Sequence, residues 1–217
     1  MQLEVNDFSI SLGNKTILTD SHFSINAGET AVISGSNGSG KSSFVKAVCG
    51  FDLYKMSGEV LLDGNNILNL DLAERSRLGF FLSYQEPIDI PGLSYAEMLR
   101  ASLDSKNIKL NNNDFQLAIA KGLERLELDP FMAQKHIGCN LSGGEKKKME
   151  VLQILVLKPS LVFLDEIDSG LDTNYPIESN KSSTGLFTNK YGTATTQCAY
   201  DGCSKYIASS GDTNCCV

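Results

Sequence analysis

The sequence contains no run of eighteen apolar residues, which excludes a membrane-spanning helix of ordinary length. Its opening, Met1-Gln2-Leu3-Glu4-Val5-Asn6-Asp7, lacks the basic and apolar stretches of a signal peptide. Positive charge is short: 19 Lys and Arg stand against 26 Asp and Glu, giving a formal net charge of −7. Nucleic acid is therefore a poor main partner. Cysteine pairs with zinc-site spacing are missing as well. Cys49 and Cys139 are isolated, where the expected role is a small buried hydrophobe. Cys198, Cys203, Cys215 and Cys216 crowd the last twenty residues without C-x2-C pairs, which argues against a metal site. These absences predict a soluble intracellular protein, without direct membrane insertion but able to dock on a membrane partner. With 217 residues, 41% of them hydrophobic, the chain is long enough for one or two domains with a real core.

What is present centres on Gly35-Ser36-Asn37-Gly38-Ser39-Gly40-Lys41-Ser42, which fits G-x-x-x-x-G-K-[ST]. Glycines let backbone N–H groups turn inward around phosphate oxygens, and a helix N-terminus adds its positive end. Lys41 can reach the outer phosphates, and the Ser42 hydroxyl can hold Mg2+. The flanks agree, with an apolar strand Thr30-Ala31-Val32-Ile33 entering and a helix over 43–49 leaving.

Around this loop, residues 2–12 alternate loosely as a half-buried strand, and Gly13-Asn14 predicts a hairpin turn into Thr16-Ile17-Leu18. Phe23-Ser24-Ile25 reads as a separate short strand, and residues 58–62 as a strand ending in the Asp63-Gly64 turn. Residues 78–84 form a buried strand that stops at Gln85-Glu86-Pro87, where the glutamine is a candidate for a nucleotide role. Ser94 with Glu97 fits a capping box. Phe115, Ile119, Leu123 and Leu126 recur at helical spacing behind Asn113 or Asp114 as the cap, and their stripe reads as packing.

Two later stretches carry chemistry. Leu141-Ser142-Gly143-Gly144 opens a helix closed by Lys158-Pro159, and its glycine turn offers amides and a helix dipole to a second anion. Leu161-Val162-Phe163-Leu164 is a fully apolar strand delivering Asp165 and Glu166 at its carboxyl end, where open α/β sheets bind ligands. Asp165 can serve the Mg2+ shell, and Glu166 can polarise an attacking water.

Residues 1–172 thereby resemble the ATP-binding cassette (ABC) ATPase domain. The phosphate loop is its Walker A motif, Gln85 its Q-loop glutamine, and 141–144 its signature. Residues 161–165 are its Walker B run, and Ser169-Gly170-Leu171-Asp172 its D-loop. The stretches Tyr84-Gln85-Glu86-Pro87-Ile88-Asp89-Ile90-Pro91-Gly92, Ser142-Gly143-Gly144-Glu145-Lys146-Lys147-Lys148 and 165–172 are similar to SufC-type ATPases of Suf iron–sulfur cluster assembly. Leu12 stands where many transporter cassettes have an aromatic that stacks on adenine.

The resemblance implies an α/β P-loop NTPase core of mixed sheet and helices. An antiparallel β subdomain and a helical insert at about 88–140 would accompany it. It implies ATP and Mg2+ as cofactors. Gly35, Ser36, Asn37, Gly38, Ser39, Gly40, Lys41, Ser42 and Ser43 would hold the nucleotide, with Ser142, Gly143 and Gly144 capping the γ-phosphate of another copy in a transient head-to-tail dimer. Ser42, Gln85 and Asp165 would hold the metal, and Glu166 and Gln85 would serve catalysis. SufB/SufD-like scaffold proteins would be the partners, docking around 85–105, in the cytoplasm or, in a plastid-bearing organism, the stroma.

Past the D-loop the resemblance ends. Residues 173–217 are rich in Ser, Thr, Asn and Cys and show no useful periodicity, so an irregular tail is expected. A frameshift, missed splice or fusion explains the abrupt loss of pattern better than a specialised cysteine-rich extension. The family's next strand and helices would then be missing, leaving a flank of the sheet uncovered. The only histidines are His22 and His136, so none follows Walker B to act as the family's switch histidine, and hydrolysis should suffer more than binding. Alternative readings are the ATPase subunit of a membrane transporter and a non-catalytic ATP-binding fragment.

Overall fold

The computed structural model describes residues 1–34, 36, 38–83, 89–165 and 205–210. Strands β1 (Leu3–Leu12) and β2 (Lys15–Ile25) form the hairpin expected at Gly13-Asn14. Phe23-Ser24-Ile25 is not a separate strand but the end of a continuous β2. The loose alternation of β1 has a physical cause. Leu3 and Val5 are buried, then the period slips by one and Phe8 and Ile10 are buried. Pairing shifts there on both sides of β1, so the slip is a β-bulge. Asp7 sits in it with φ +48°. Gly58 on the neighbouring strand makes room, because a Cβ there would strike the Asp7 carbonyl.

Strand β3 (Glu29–Ser34) leads through the glycine-rich loop into helix α1 (Lys41–Val48). The helix buries Phe44, Val45, Ala47 and Val48, and the Phe44 ring meets Phe8 and Phe23 edge-on, each at 6.0 Å. β4 (Lys55–Leu62) returns to pair with β1, and β5 (Asn65–Asn66) completes an antiparallel sheet of order β2-β1-β4-β5.

The sequence pattern gave no sign of α2 (Leu72–Arg77), a short helix held by a reciprocal cap between Asp71 and Glu74. It leads to β6 (Phe80–Ser83). The helical part begins with β7 (Ile90–Ser94), then α3 (Tyr95–Ser105) and α4 (Asn112–Arg125). Ser94 and Glu97 cap α3 as expected, whereas α4 is capped by Asn111 rather than by Asn113 or Asp114. The cap lies two or three residues earlier because the Asn111 side chain accepts from the Asp114 amide at 2.8 Å.

β8 (His136–Ile137) pairs with β7, and α5 (Gly143–Leu157) packs against α3 and α4. Its last turn closes with Lys158 in the left-handed region, φ +45°. The apolar stripe of α4 packs in this helical core, as its spacing indicated. β9 (Leu161–Asp165) follows, with its first four residues buried.

The last described element is the largest departure from expectation. Residues 205–210, inside the stretch read as irregular, form β10 (Lys205–Ser210). It lies parallel between β3 and β9, giving the sheet order β3-β10-β9-β6. The slot it fills is interior to that sheet, so a chain without it would have a gap rather than a bare flank. The mixed α/β fold with an antiparallel β subdomain and a helical subdomain is as the sequence indicated.

Candidate functional site

The phosphate loop is built by backbone geometry. Gly38 and Gly40 adopt φ +81° and +101°, in the left-handed region that favours glycine. Gly40 has a second reason to lack a side chain, since a Cβ would lie 2.8 Å from Ile17 Cγ2 on β2. The Ser39 amide donates to the Ser36 carbonyl at 3.1 Å, closing the turn, and the Phe44 amide donates to Gly40 at 2.7 Å, starting the helix. Lys41 Nζ folds back to donate to the Ser36 carbonyl at 3.1 Å, which lays the ammonium across the loop. Ser42 occupies the first turn of α1, where the unpaired amides and the dipole favour an anion. Ser43, expected to touch nucleotide, lies 3.5 Å from the Tyr54 hydroxyl. Gly35 and Asn37 lie outside the described residues.

The rear of α1 is closed by a residue the sequence reading did not single out. Arg75 is fully buried, and its guanidinium donates only short bonds to backbone oxygens: Val48 at 2.7 Å, Leu68 at 2.7 Å, Leu70 at 2.9 Å and Ala47 at 3.2 Å. Two of these carbonyls belong to the last turn of α1, where a cation complements the helix dipole. Burial lowers the Arg75 pKa from its ordinary high value, and the nearby Cys49 thiol opposes that shift. Burial pushes the Cys49 thiol well up, leaving it an inert hydrophobe as expected, whereas Cys139 is only half-buried. No sequence signal marks Arg75, because its partners lie up to 28 positions away.

The second expected anion site is the N-terminus of α5. Ser142 is its cap, accepting from the Glu145 amide, while the Glu145 carboxylate accepts from the Ser142 amide at 2.8 Å and from its hydroxyl at 2.7 Å. Those bonds hold the Glu145 carboxyl below the usual range. A Cβ on Gly143 would meet nothing within 4 Å, so this turn faces open space. Next along the helix, Lys146 pairs with Asp89 at 2.8 Å, and this hydrogen bond raises the lysine pKa.

Asp165 is the final residue of β9, at the carboxyl edge of the parallel sheet, with Ser83 opposite Leu164 on the neighbouring strand. Gln85 and Glu166 lie outside the described residues. The donor set fits ATP with Mg2+: a left-handed glycine loop with no space for a side chain at Gly40, an ammonium over it, a hydroxyl in the first helical turn and an acid at the strand end. Among the described residues, one group of three metal-ligating side chains occurs elsewhere, Asp7, Asp20 and His22 on the β1–β2 hairpin, all exposed.

Comparison with known proteins agrees with this geometry. Residues 18–169 match the family model described as ABC transporter. A probable ABC transporter ATP-binding protein of Streptococcus pyogenes is 41% identical over 174 residues, spanning 78% of this chain and 68% of that protein. A probable ATP-dependent transporter of Trieres chinensis is 40% identical over 176 residues, with coverage of 78% and 70%. Among solved structures, the ATP-binding subunit of an ABC transporter superposes with TM-score 0.67 at 25% identity, covering 80% of this chain and 69% of that one. Among the described residues no helix is long and apolar enough to cross a membrane. Loop, signature turn, fold and relatives agree, and the chain belongs to the ABC ATPase family, whose members bind ATP with Mg2+, generally hydrolyse it, and work as dimers with membrane or other partners.

Proposed function

We propose that this chain is the nucleotide-driven subunit of an iron–sulfur cluster assembly machine. In this reading the loop at 35–43 holds the ATP phosphates, and Ser42, Gln85 and Asp165 hold Mg2+. The turn Ser142-Gly143-Gly144 closes on the nucleotide of a second copy, with Glu166 and Gln85 positioning the attacking water. The observation that carries nucleotide binding is the Lys41 ammonium lying 3.1 Å from the Ser36 carbonyl across a left-handed glycine loop. Bound Mg2+ would supply charge neutralisation of the phosphates.

The assembly role, with SufB/SufD-like scaffolds as partners docking around 85–105, rests on the stretches 84–92, 142–148 and 165–172. The relatives, described as transporter ATP-binding proteins or ATP-dependent transporters, favour a second reading, the ATPase subunit of a membrane transporter.

The first test is ATP affinity with and without Lys41. Lys41→Ala is expected to weaken Mg-ATP binding by about a hundredfold, the worth of a charge-assisted phosphate contact, with unchanged circular dichroism. Equal affinity in the two proteins would remove the loop from the site. Affinity capture from a cell extract then separates the partners: soluble scaffold proteins support assembly, and a permease supports transport.

A further inference from the structure

The described residues contain a buried polar triad that the family motifs do not include. Glu150 Oε2 accepts from Ser83 Oγ at 3.0 Å and from Lys147 Nζ at 3.1 Å. Ser83 is 1% exposed, Lys147 4% and Glu150 6%. Lys147 and Glu150 lie one turn apart on α5, while Ser83 ends β6, so the triad ties the helix to the parallel sheet.

Burying such a pair is costly, and an apolar pair of similar volume would stabilise the contact as well or better. An ion pair is therefore weak as an account of stability. What it does add is direction. Rotating α5 by one residue, about 100°, would carry Glu150 away from Ser83, whereas an apolar contact tolerates such slippage.

Both ends of this tie lead to proposed nucleotide groups. Ser83 is in register with Leu164, one residue before Asp165. Glu150 is seven residues along α5 from Gly143, roughly 10 Å at helical rise. Lys146 adds a partly exposed bond from the same helix to Asp89 at 2.8 Å. α5 otherwise packs in the helical core with α3 and α4, while β6 and β9 contribute to the sheet core. Phe81 of β6 also packs against the helical core, and the triad adds a directional polar tie to that apolar contact.

We infer that Ser83, Lys147 and Glu150 are positioning residues that fix the roll of α5 against the sheet, so that the Ser142-Gly143-Gly144 turn meets the ATP of a second copy. This rests on the reading above that the turn acts across two copies. The triad touches no nucleotide itself. It should matter to the association of two cassettes around ATP and not to the filling of a single phosphate loop.

The experiment uses the full chain and its Ser83→Ala and Ser83→Thr variants. Binding of a fluorescent ATP analogue with Mg2+ reports the single loop, and sedimentation at saturating Mg-ATP reports association. Ser83→Ala should bind the analogue within about twofold of the parent but associate about tenfold more weakly, the worth of one hydrogen bond to a charged group. Ser83→Thr keeps the hydroxyl and should restore association, which a mere loss of packing volume would not explain. Should Ser83→Ala associate like the parent, or should both affinities fall together, the inference is overturned. A parent that binds ATP and stays monomeric also overturns it, since the turn would have no task across copies. A parent that fails to bind the analogue at all instead overturns the nucleotide reading itself.

Discussion

At the residue scale, the chain places single side chains where the backbone cannot satisfy itself. Arg75 is the clearest case, a fully buried guanidinium answering four carbonyls at the rear of α1 and in the segment that leads to α2. No neutral side chain of similar size presents five donors in one plane. Arg75→Met would fill much of the volume and leave those oxygens buried without donors, at a cost of about 3 kcal/mol. Urea unfolding checks this, and an unchanged midpoint would show that water or neighbouring amides replace the guanidinium. Lys41, proposed to meet phosphate, stands at the front of the same helix, so α1 has its positive end and its cation-capped end within eight residues.

At the element scale, three helices use the same reciprocal cap: Asp71 with Glu74, Ser94 with Glu97 and Ser142 with Glu145. In α5 the cap has a further consequence, because it seats a carboxylate beside the turn expected to meet phosphate. Hydrogen bonds from Ser142 depress the Glu145 pKa in the folded chain. The sign follows from linkage. The carboxylate's contribution to stability is fully present above the unfolded value, about 4.3, and is lost as pH falls through the lower folded value. Glu145→Gln keeps the cap geometry but removes the titration. The stability difference between the two proteins, largest near neutrality, should therefore shrink as pH drops below 4.3. Chemical denaturation at several pH values measures it, and a gap that stays constant into acid would exclude the carboxylate as its source. The hairpin, the loop-to-helix unit and helices α3 to α5 were visible in the sequence because caps, glycine turns and apolar runs are local, whereas α2 and β10 were not. The bulge in β1 was not, since its cause, Gly58, sits on another strand.

At the scale of the whole molecule, β10 decides whether the parallel sheet is continuous. With Ile207 opposite Ala31 on one side and Phe163 on the other, it pairs along both edges. Proline there would delete a ladder amide inside the sheet, where proline is not tolerated. Ile207→Pro is expected to lower the melting temperature or yield insoluble protein. A parent-like melt would mean that the sheet does not depend on this strand. The expectation of an irregular tail overlooked β10 because Lys205-Tyr206-Ile207-Ala208-Ser209-Ser210 has no alternation and only a short apolar centre. A strand with neighbours on both sides is specified by those neighbours, and they lie far away in the chain.

The sequence by itself determined the phosphate loop, the signature turn, the apolar β9 with Asp165 at its end, and the caps of α3 and α5. Each is written within a few residues, where glycine conformations, i to i+3 hydrogen bonds and side-chain periodicity act directly on the local backbone. Only the tertiary structure decided the place of β10, the burial of Arg75, the pairing of Lys146 with Asp89 and the tie from Ser83 to Glu150. The Arg75–Ala47, Lys146–Asp89 and Ser83–Glu150 contacts join residues 28, 57 and 67 positions apart, and β10 pairs with β3, still farther away in the chain. Such contacts leave no periodic trace, because the energy that selects them comes from excluding water around groups that meet only once the sheet and helices have packed.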